Sequence, residues 1–247
     1  MMKKIKSALL VIICIKLFGC TVINNKNIKP PMENYVKVLH KVEVVSCKQD
    51  TKNQCITGTY LTTGSGMIIN ISEKYKFGFI LTAKHVCDTA LPNSVNKSIQ
   101  TNQVMDHKGV IHIAYVIMNT ELNEDSGTSD LCLMYSPTLR KRGVKFSKVA
   151  PKVGDRVYYV GSPAGVYHPP VAPIIDGIFS GNLSSTSSMA SCAAIGGSSG
   201  SAVLNQNNKI IGLLFAAHPS FHHVTIISSY ESLDKFLKEA TKFVDSI

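Results

Sequence analysis

The sequence predicts an all-β fold of barrel or sandwich type. Two observations carry this. Ten short apolar runs (36–46, 67–71, 77–82, 110–118, 131–135, 157–160, 174–179, 202–204, 210–215 and 224–228) are rich in Val, Ile, Tyr and Phe and are separated by Gly, Pro, Asn and Ser. Such runs are strand-length, and at this density they leave no room for intervening helices. Only one stretch has helical spacing: Leu233, Phe236, Leu237, Ala240 and Val244 form a single stripe near the C-terminus, with Ser232 as its expected N-cap.

The first element is not part of that fold. Lys3, Lys4 and Lys6 precede an apolar stretch from Ala8 to Phe18 that is broken only by Lys16. The stretch is too short to span a bilayer and reads as an export signal over residues 1–19. It ends in Leu17-Phe18-Gly19-Cys20, which resembles the bacterial lipoprotein box. The resemblance implies lipidation of Cys20 and attachment to a bacterial membrane. Thr21, rather than Asp, follows, and in Gram-negative lipoproteins this directs the chain to the outer membrane. The alternative is an uncleaved anchor with an ordinary buried cysteine. Residues 20–34 are polar, contain Pro30-Pro31 and read as a tether. Residues 35–247 remain as one domain.

The 247 residues carry a formal charge of +10, and the four lysines of the leader leave +6 for the rest. No Arg/Lys stripe is interleaved with aromatics, and Trp is absent, so a nucleic-acid partner is not expected. Five cysteines remain besides Cys14 of the leader and Cys20. Cys47 and Cys55 flank a polar turn and are read as a disulfide across two neighbouring strands, the alternative being two free thiols. Cys132 and Cys192 lie in apolar surroundings and read as small core residues. No cysteine or histidine pair has metal-site spacing, so neither a metal nor another cofactor is expected. Gly64-Ser65-Gly66 reads as a strand entry and not as a dinucleotide motif, because no helix follows it.

Three segments carry chemistry: Leu81-Thr82-Ala83-Lys84-His85, Ser129-Asp130-Leu131-Cys132-Leu133 and Gly196-Gly197-Ser198-Ser199-Gly200-Ser201-Ala202. They supply a base, a carboxylate and a hydroxyl in a glycine-rich turn, in the order His, Asp, Ser. A hydroxyl becomes a useful nucleophile only beside a base whose tautomer is fixed. Ser199 is the expected nucleophile, His85 the general base and Asp130 its orienting partner. The backbone N–H groups of Gly197 and Ser199 are expected to hold the oxyanion. Gly200 sets the frame, leaving Ser198 as the variable turn residue. Asp106 and Asp125 are the rivals of Asp130, but neither leads into so clean an apolar strand.

These motifs resemble the trypsin-like (chymotrypsin-fold) serine proteases, and within them the bacterial HtrA/Deg type. Further matches are Val153-Gly154-Asp155, Val160-Gly161-Ser162-Pro163, Gly177-Ile178-Phe179-Ser180-Gly181 and Lys209-Ile210-Ile211-Gly212, extending the likeness over about residues 40–230. The resemblance implies two six-stranded antiparallel β-barrels with the site between them, and hydrolysis of protein or peptide substrates. No PDZ-like domain follows the motifs, so the oligomeric state stays open. By the same resemblance Ala193 and Phe215-Ala216-Ala217 line the substrate pocket. They carry no carboxylate, which implies a neutral pocket for small or medium side chains. The alternative function is a catalytically silent surface lipoprotein that uses the same fold to hold a partner.

Overall fold

The computed structural model describes residues 28–47, 55–72, 74–75, 78–91, 95–120 and 130–246. The leader, Cys20 and Asp125 lie outside them. Twelve strands form two closed barrels. The first comprises β1 (Tyr35–Cys47), β2 (Cys55–Ile69), β3 (Gly78–Thr82), β4 (Lys97–Met105), β5 (Ile111–Asn119) and β6 (Cys132–Ser136), closed in the order β1-β2-β3-β6-β5-β4. The second comprises β7 (Arg156–Val160), β8 (Ile174–Asn182), β9 (Ser187–Ala190), β10 (Ala202–Asn205), β11 (Ile210–His218) and β12 (Phe221–Ser228), closed in the order β10-β11-β12-β9-β8-β7. Counted from each barrel's own first strand, the two orders are the same. Closure matters because it leaves no edge strand for uncontrolled pairing.

Strand β7 shows how the barrels share a core. Val157 and Tyr159 point into the second barrel, while Tyr158 and Val160 pack with residues of the first. Both faces are buried, so the run Val157-Tyr158-Tyr159-Val160 is apolar throughout instead of alternating. The connection between barrels is stitched to each in turn: Val144 bridges to Ile69 on β2, and Phe146 to Ile210 on β11. The C-terminal helix α2 (Tyr230–Ser246) buries Leu233, Phe236, Leu237, Ala240 and Val244, the stripe its spacing predicts. Its start is fixed by Tyr230, which stacks on Phe146 with ring centroids 4.9 Å apart and donates to the Ser147 carbonyl at 3.0 Å.

Several local expectations are corrected. Strands β4 and β9 carry no apolar run. Lys97–Met105 is largely polar and exposed over its first four residues, and Ser187–Ala190 is short and serine-rich, so pairing with neighbours makes them strands. Gly64-Ser65-Gly66 lies inside β2, where exposed residues 55–63 give way to a buried stretch from Gly64 onward. The cap of α2 is Ser229, whose Oγ accepts the Ser232 N–H at 3.1 Å, so Ser232 already lies inside the helix. Cys132 is not a free core thiol. It is disulfide-bonded to Cys87, because β3 and β6 pair Thr82 with Cys132 and a one-turn helix α1 (Lys84–Cys87) carries Cys87 back over that pair. Cys47 and Cys55 do form the expected bridge, across a directly opposed pair of β1 and β2. Cys192 is a buried free thiol whose pKa burial pushes up to about 12, with Asp176 adding to the rise.

Candidate active site

His85 lies one residue inside α1, immediately beyond β3. Asp130 lies just before β6, the neighbour of β3. Asp130 holds His85 by two atoms. Its Oδ1 accepts the His85 backbone N–H at 2.9 Å, and its Oδ2 is hydrogen-bonded to His85 Nδ1. An ionised carboxylate only accepts, so Nδ1 carries a proton, and in the neutral ring Nε2 then holds the lone pair. The Asp130 side chain is 16% exposed and the imidazole 49%, so the ring is held from behind and presented to solvent. Its rival Asp106 is committed elsewhere: Oδ1 caps the β4–β5 turn by accepting the Lys108 and Val110 N–H groups at 2.8 and 2.9 Å. Burial opposes the charge of Asp106, but these bonds and His112 outweigh it and hold the carboxyl below its ordinary range.

Cys87 and Cys132 each lie two residues beyond His85 and Asp130, and both pairs are 45 residues apart in sequence. The disulfide therefore ties the histidine turn covalently to the strand that follows the carboxylate. Both cysteines are buried, with a Cα–Cα distance of 6.7 Å.

The second barrel supplies the opposite wall. Ser199 lies in the turn before β10 and is partly exposed, whereas Ser198 is fully buried and hydrogen-bonded to the Tyr159 hydroxyl at 3.3 Å. Ser198 is thus a packed anchor of the turn. Three contacts bring the turn against β2, the end of β3 and the histidine turn. The Ser65 N–H donates to the Ser199 carbonyl at 2.8 Å. A Cβ at Gly64 would lie 2.5 Å from Val86 Cγ1 and 2.9 Å from the Ser199 carbonyl oxygen, so the residue after His85 and the serine backbone flank one glycine. Gly200 has φ +87°, and a Cβ there would collide with the Ser65 carbonyl and Thr82 Oγ1.

Gly197 has φ +93°, and both of its flanking carbonyls are pinned. The Gly196 carbonyl accepts the Ala164 N–H at 2.7 Å, and the Gly197 carbonyl accepts Ser65 Oγ at 2.8 Å. A trans peptide points its N–H opposite its carbonyl, so the Gly197 N–H faces away from Ala164. Among the described residues neither the Gly197 nor the Ser199 N–H donates to a backbone carbonyl or side chain. Two donors in one glycine turn are therefore open to an incoming oxygen.

The structure joins His85 to Asp130 and seats Ser199 across from them. The Ser199 hydroxyl itself donates to the Phe215 carbonyl at 3.5 Å, and no hydrogen bond links it to the imidazole in this state. Phe215 sits in a bulge of β11 between Leu214 and Ala216, which frees its carbonyl from the ladder. Phe215, Ala216 and Ala217 are partly exposed at that strand end, and the Ala193 carbonyl accepts the Tyr159 hydroxyl at 2.5 Å. Sequence reasoning missed Ser65 and Ser162, which are buried between the barrels. Ser65 Oγ accepts the Ser162 N–H at 3.0 Å while donating to Gly197. It also missed the Cys87–Cys132 clamp, although the equal spacing of the two cysteines with His85 and Asp130 was a signal for it. Among the described residues no group of His, Cys, Asp and Glu side chains is arranged to hold a metal ion.

The sequence matches the trypsin-like peptidase domain family over residues 64–213. Two solved structures are similar. One is a serine endoprotease from Yersinia pestis, with TM-score 0.56 and 18% identity, covering 85% of this chain. The chain spans 64% of the length of that protein. The other is the inactive form of Rv3671c from Mycobacterium tuberculosis H37Rv, a serine-to-alanine mutant. It has TM-score 0.56 and 14% identity, covering 86% of this chain and 91% of its own. At these identities the likeness is one of fold. No curated protein sequence matches the chain.

Proposed function

We propose that this chain, which belongs to the trypsin-like peptidase domain family, is a serine endopeptidase that cleaves protein substrates with Ser199, His85 and Asp130. The observation that carries this reading is the two-point hold of Asp130 on His85, with the Ser199 turn pressed against the same strand end. Asp130 keeps Nδ1 protonated, so Nε2 is the basic atom. On substrate binding Ser199 Oγ turns from the Phe215 carbonyl and donates to Nε2; such bonds often tighten only in the complex. Oγ attacks the scissile carbonyl as its proton passes to His85. The tetrahedral oxyanion takes the Gly197 and Ser199 N–H groups, and loss of one such donor typically costs about 100- to 1000-fold. His85 then protonates the leaving amine, and water enters by the same route in reverse to release the acyl group.

Ala193 and Phe215-Ala216-Ala217 are assigned to the substrate pocket. The absence of a carboxylate on them favours small or medium neutral side chains over Lys or Arg. We place the protein outside the cytoplasm, attached to a bacterial membrane through a lipid on Cys20. Two disulfides among the described residues support an oxidising compartment. No helix among those residues is long and apolar enough to cross a membrane.

The test is active-site labelling. A fluorophosphonate reagent should modify the wild type and not Ser199→Ala, with turnover of an unfolded protein substrate lost in parallel by at least about 10⁴-fold. The second reading, a silent protein that holds a partner, is favoured by one observation, the Ser199 hydroxyl bonded to Phe215 instead of His85. Absence of both labelling and turnover in the wild type would establish it.

A further inference from the structure

A cavity of about 680 Å³ opens on the first barrel, at the end of β3 away from His85. Phe79 of β3 lines it, and Thr82, three residues on (about 10 Å at 3.3 Å per residue), abuts the histidine turn. The cavity is therefore separate from the cleft. Among the described residues its lining carries four cationic side chains, Lys74, Arg140, Lys141 and Arg142, and no carboxylate. Two carboxylates among the described residues approach from outside the lining. Glu33 is ion-paired with Lys141 at 2.8 Å, and Asp245 accepts Ser72 Oγ at 2.6 Å.

The cationic segment is built in and not a loose run. Val144 donates to the Ile68 carbonyl and accepts the Asn70 N–H, both at 2.9 Å, which pins the segment to the end of β2. Asn34, buried, donates to the Arg142 carbonyl at 2.8 Å. Lys74 lies over the Tyr75 ring, 4.8 Å from its centroid. Hydrogen bonding and charge from Lys141 hold the Glu33 carboxyl below its ordinary range, with His107 and Lys29 adding to the effect.

The same contacts locate the entry of the chain. Glu33 and Asn34, the last residues before β1, rest on Lys141 and Arg142. Cys20 lies eight residues before Ile28, a reach of at most about 28 Å. A domain tethered at Cys20 is thus held with Ile28 at most about 28 Å from the anchor, five residues before Glu33, which pairs with Lys141 of the cavity.

We propose that this cavity binds the phosphate headgroups of anionic lipids and orients the domain on the membrane, with the His85 cleft at the far end of β3. The proposal rests on the tether reading given above. Juxtamembrane Lys and Arg each contribute several-fold to attraction by an anionic leaflet, and the contribution is screened by salt.

The experiment uses the full chain with vesicles of phosphatidylcholine alone or mixed with phosphatidylglycerol. The wild type should partition at least about 10-fold more strongly onto the anionic vesicles, and the excess should vanish in 0.5 M salt. Lys74→Glu/Arg140→Glu should lose the excess, and the neutral pair Lys74→Gln/Arg140→Gln most of it, with unchanged thermal unfolding. Lys97→Glu/Lys152→Glu, a matched charge change elsewhere on the surface, should keep it. Equal partitioning of the wild type and the cavity variants onto anionic vesicles would overturn the proposal. So would an equal loss in the Lys97/Lys152 pair. Release by millimolar inorganic phosphate at constant ionic strength would assign the cavity to a soluble anion and overturn the membrane role. Attachment to neutral vesicles reports the tether by itself, so its failure is read separately.

Discussion

The two barrels share one strand order yet hold their functional groups by different means. The first holds an imidazole and a carboxylate, side chains whose mutual geometry depends on χ angles. It secures them with paired strands, a two-point hydrogen bond and a disulfide two residues beyond each. The second holds a hydroxyl and two N–H groups in a turn. It secures them with backbone conformation, the pinned carbonyls of Gly196 and Gly197, and the buried anchor Ser198. Among the described residues it has no disulfide, and its cysteine is a free buried thiol. Side-chain alignment needs an external clamp, whereas backbone N–H direction is already fixed once φ and ψ are.

The largest test of this contrast is Asp130→Asn. It retains the shape but replaces an obligate acceptor with an amide that can donate to Nδ1 and fix the wrong tautomer. We expect kcat to fall by about 10⁴-fold with a smaller change in KM, measured by steady-state turnover.

Removing the clamp should come next. The Cys87–Cys132 bridge closes a 45-residue separation and Cys47–Cys55 one of 8. Loop-entropy arguments give about 4 and about 2.5 kcal/mol respectively. Cys87→Ala/Cys132→Ala should therefore unfold at clearly lower denaturant than Cys47→Ser/Cys55→Ser. Its kcat should drop by up to about 100-fold through loosened His85–Asp130 alignment, while the distal variant keeps wild-type kcat. Equal kcat in both variants would mean that the clamp serves stability alone.

Ser65→Ala probes the second barrel's device from the first. It removes the donor to the Gly197 carbonyl and the acceptor of the Ser162 N–H. A cost of about 1–3 kcal/mol is expected from buried groups left unpaired. An activity loss of about tenfold should accompany it if Ser65 fixes the Gly197 peptide, read against unchanged His85–Asp130 NMR signals.

The smallest effect concerns Asp106, a carboxylate with a purely local duty. Its folded pKa lies below the ordinary value, so its stabilising contribution is present above that ordinary value and is lost as pH falls through the lowered one. The acid limb of the stability curve should be shallower in Asp106→Asn, with activity at neutral pH unchanged.

What the sequence determined by itself is the class of fold and the residue types of the site. Period-two and all-apolar runs are local signals, so ten of the strands and the stripe Leu233 to Val244 were legible. So were the three motifs, because a strand-end histidine, a carboxylate ahead of an apolar strand and a glycine turn each impose local composition. Tertiary structure decided the rest. Lys97–Met105 and Ser187–Ala190 are strands only because neighbours complete their ladders. Which of Tyr158 and Tyr159 faces which barrel depends on register and not on residue type. The Cys87–Cys132 bond, the Ser65 link across the barrels and the gathering of Lys74 beside Arg140 arise from contacts between residues far apart in the chain, which no window of sequence contains.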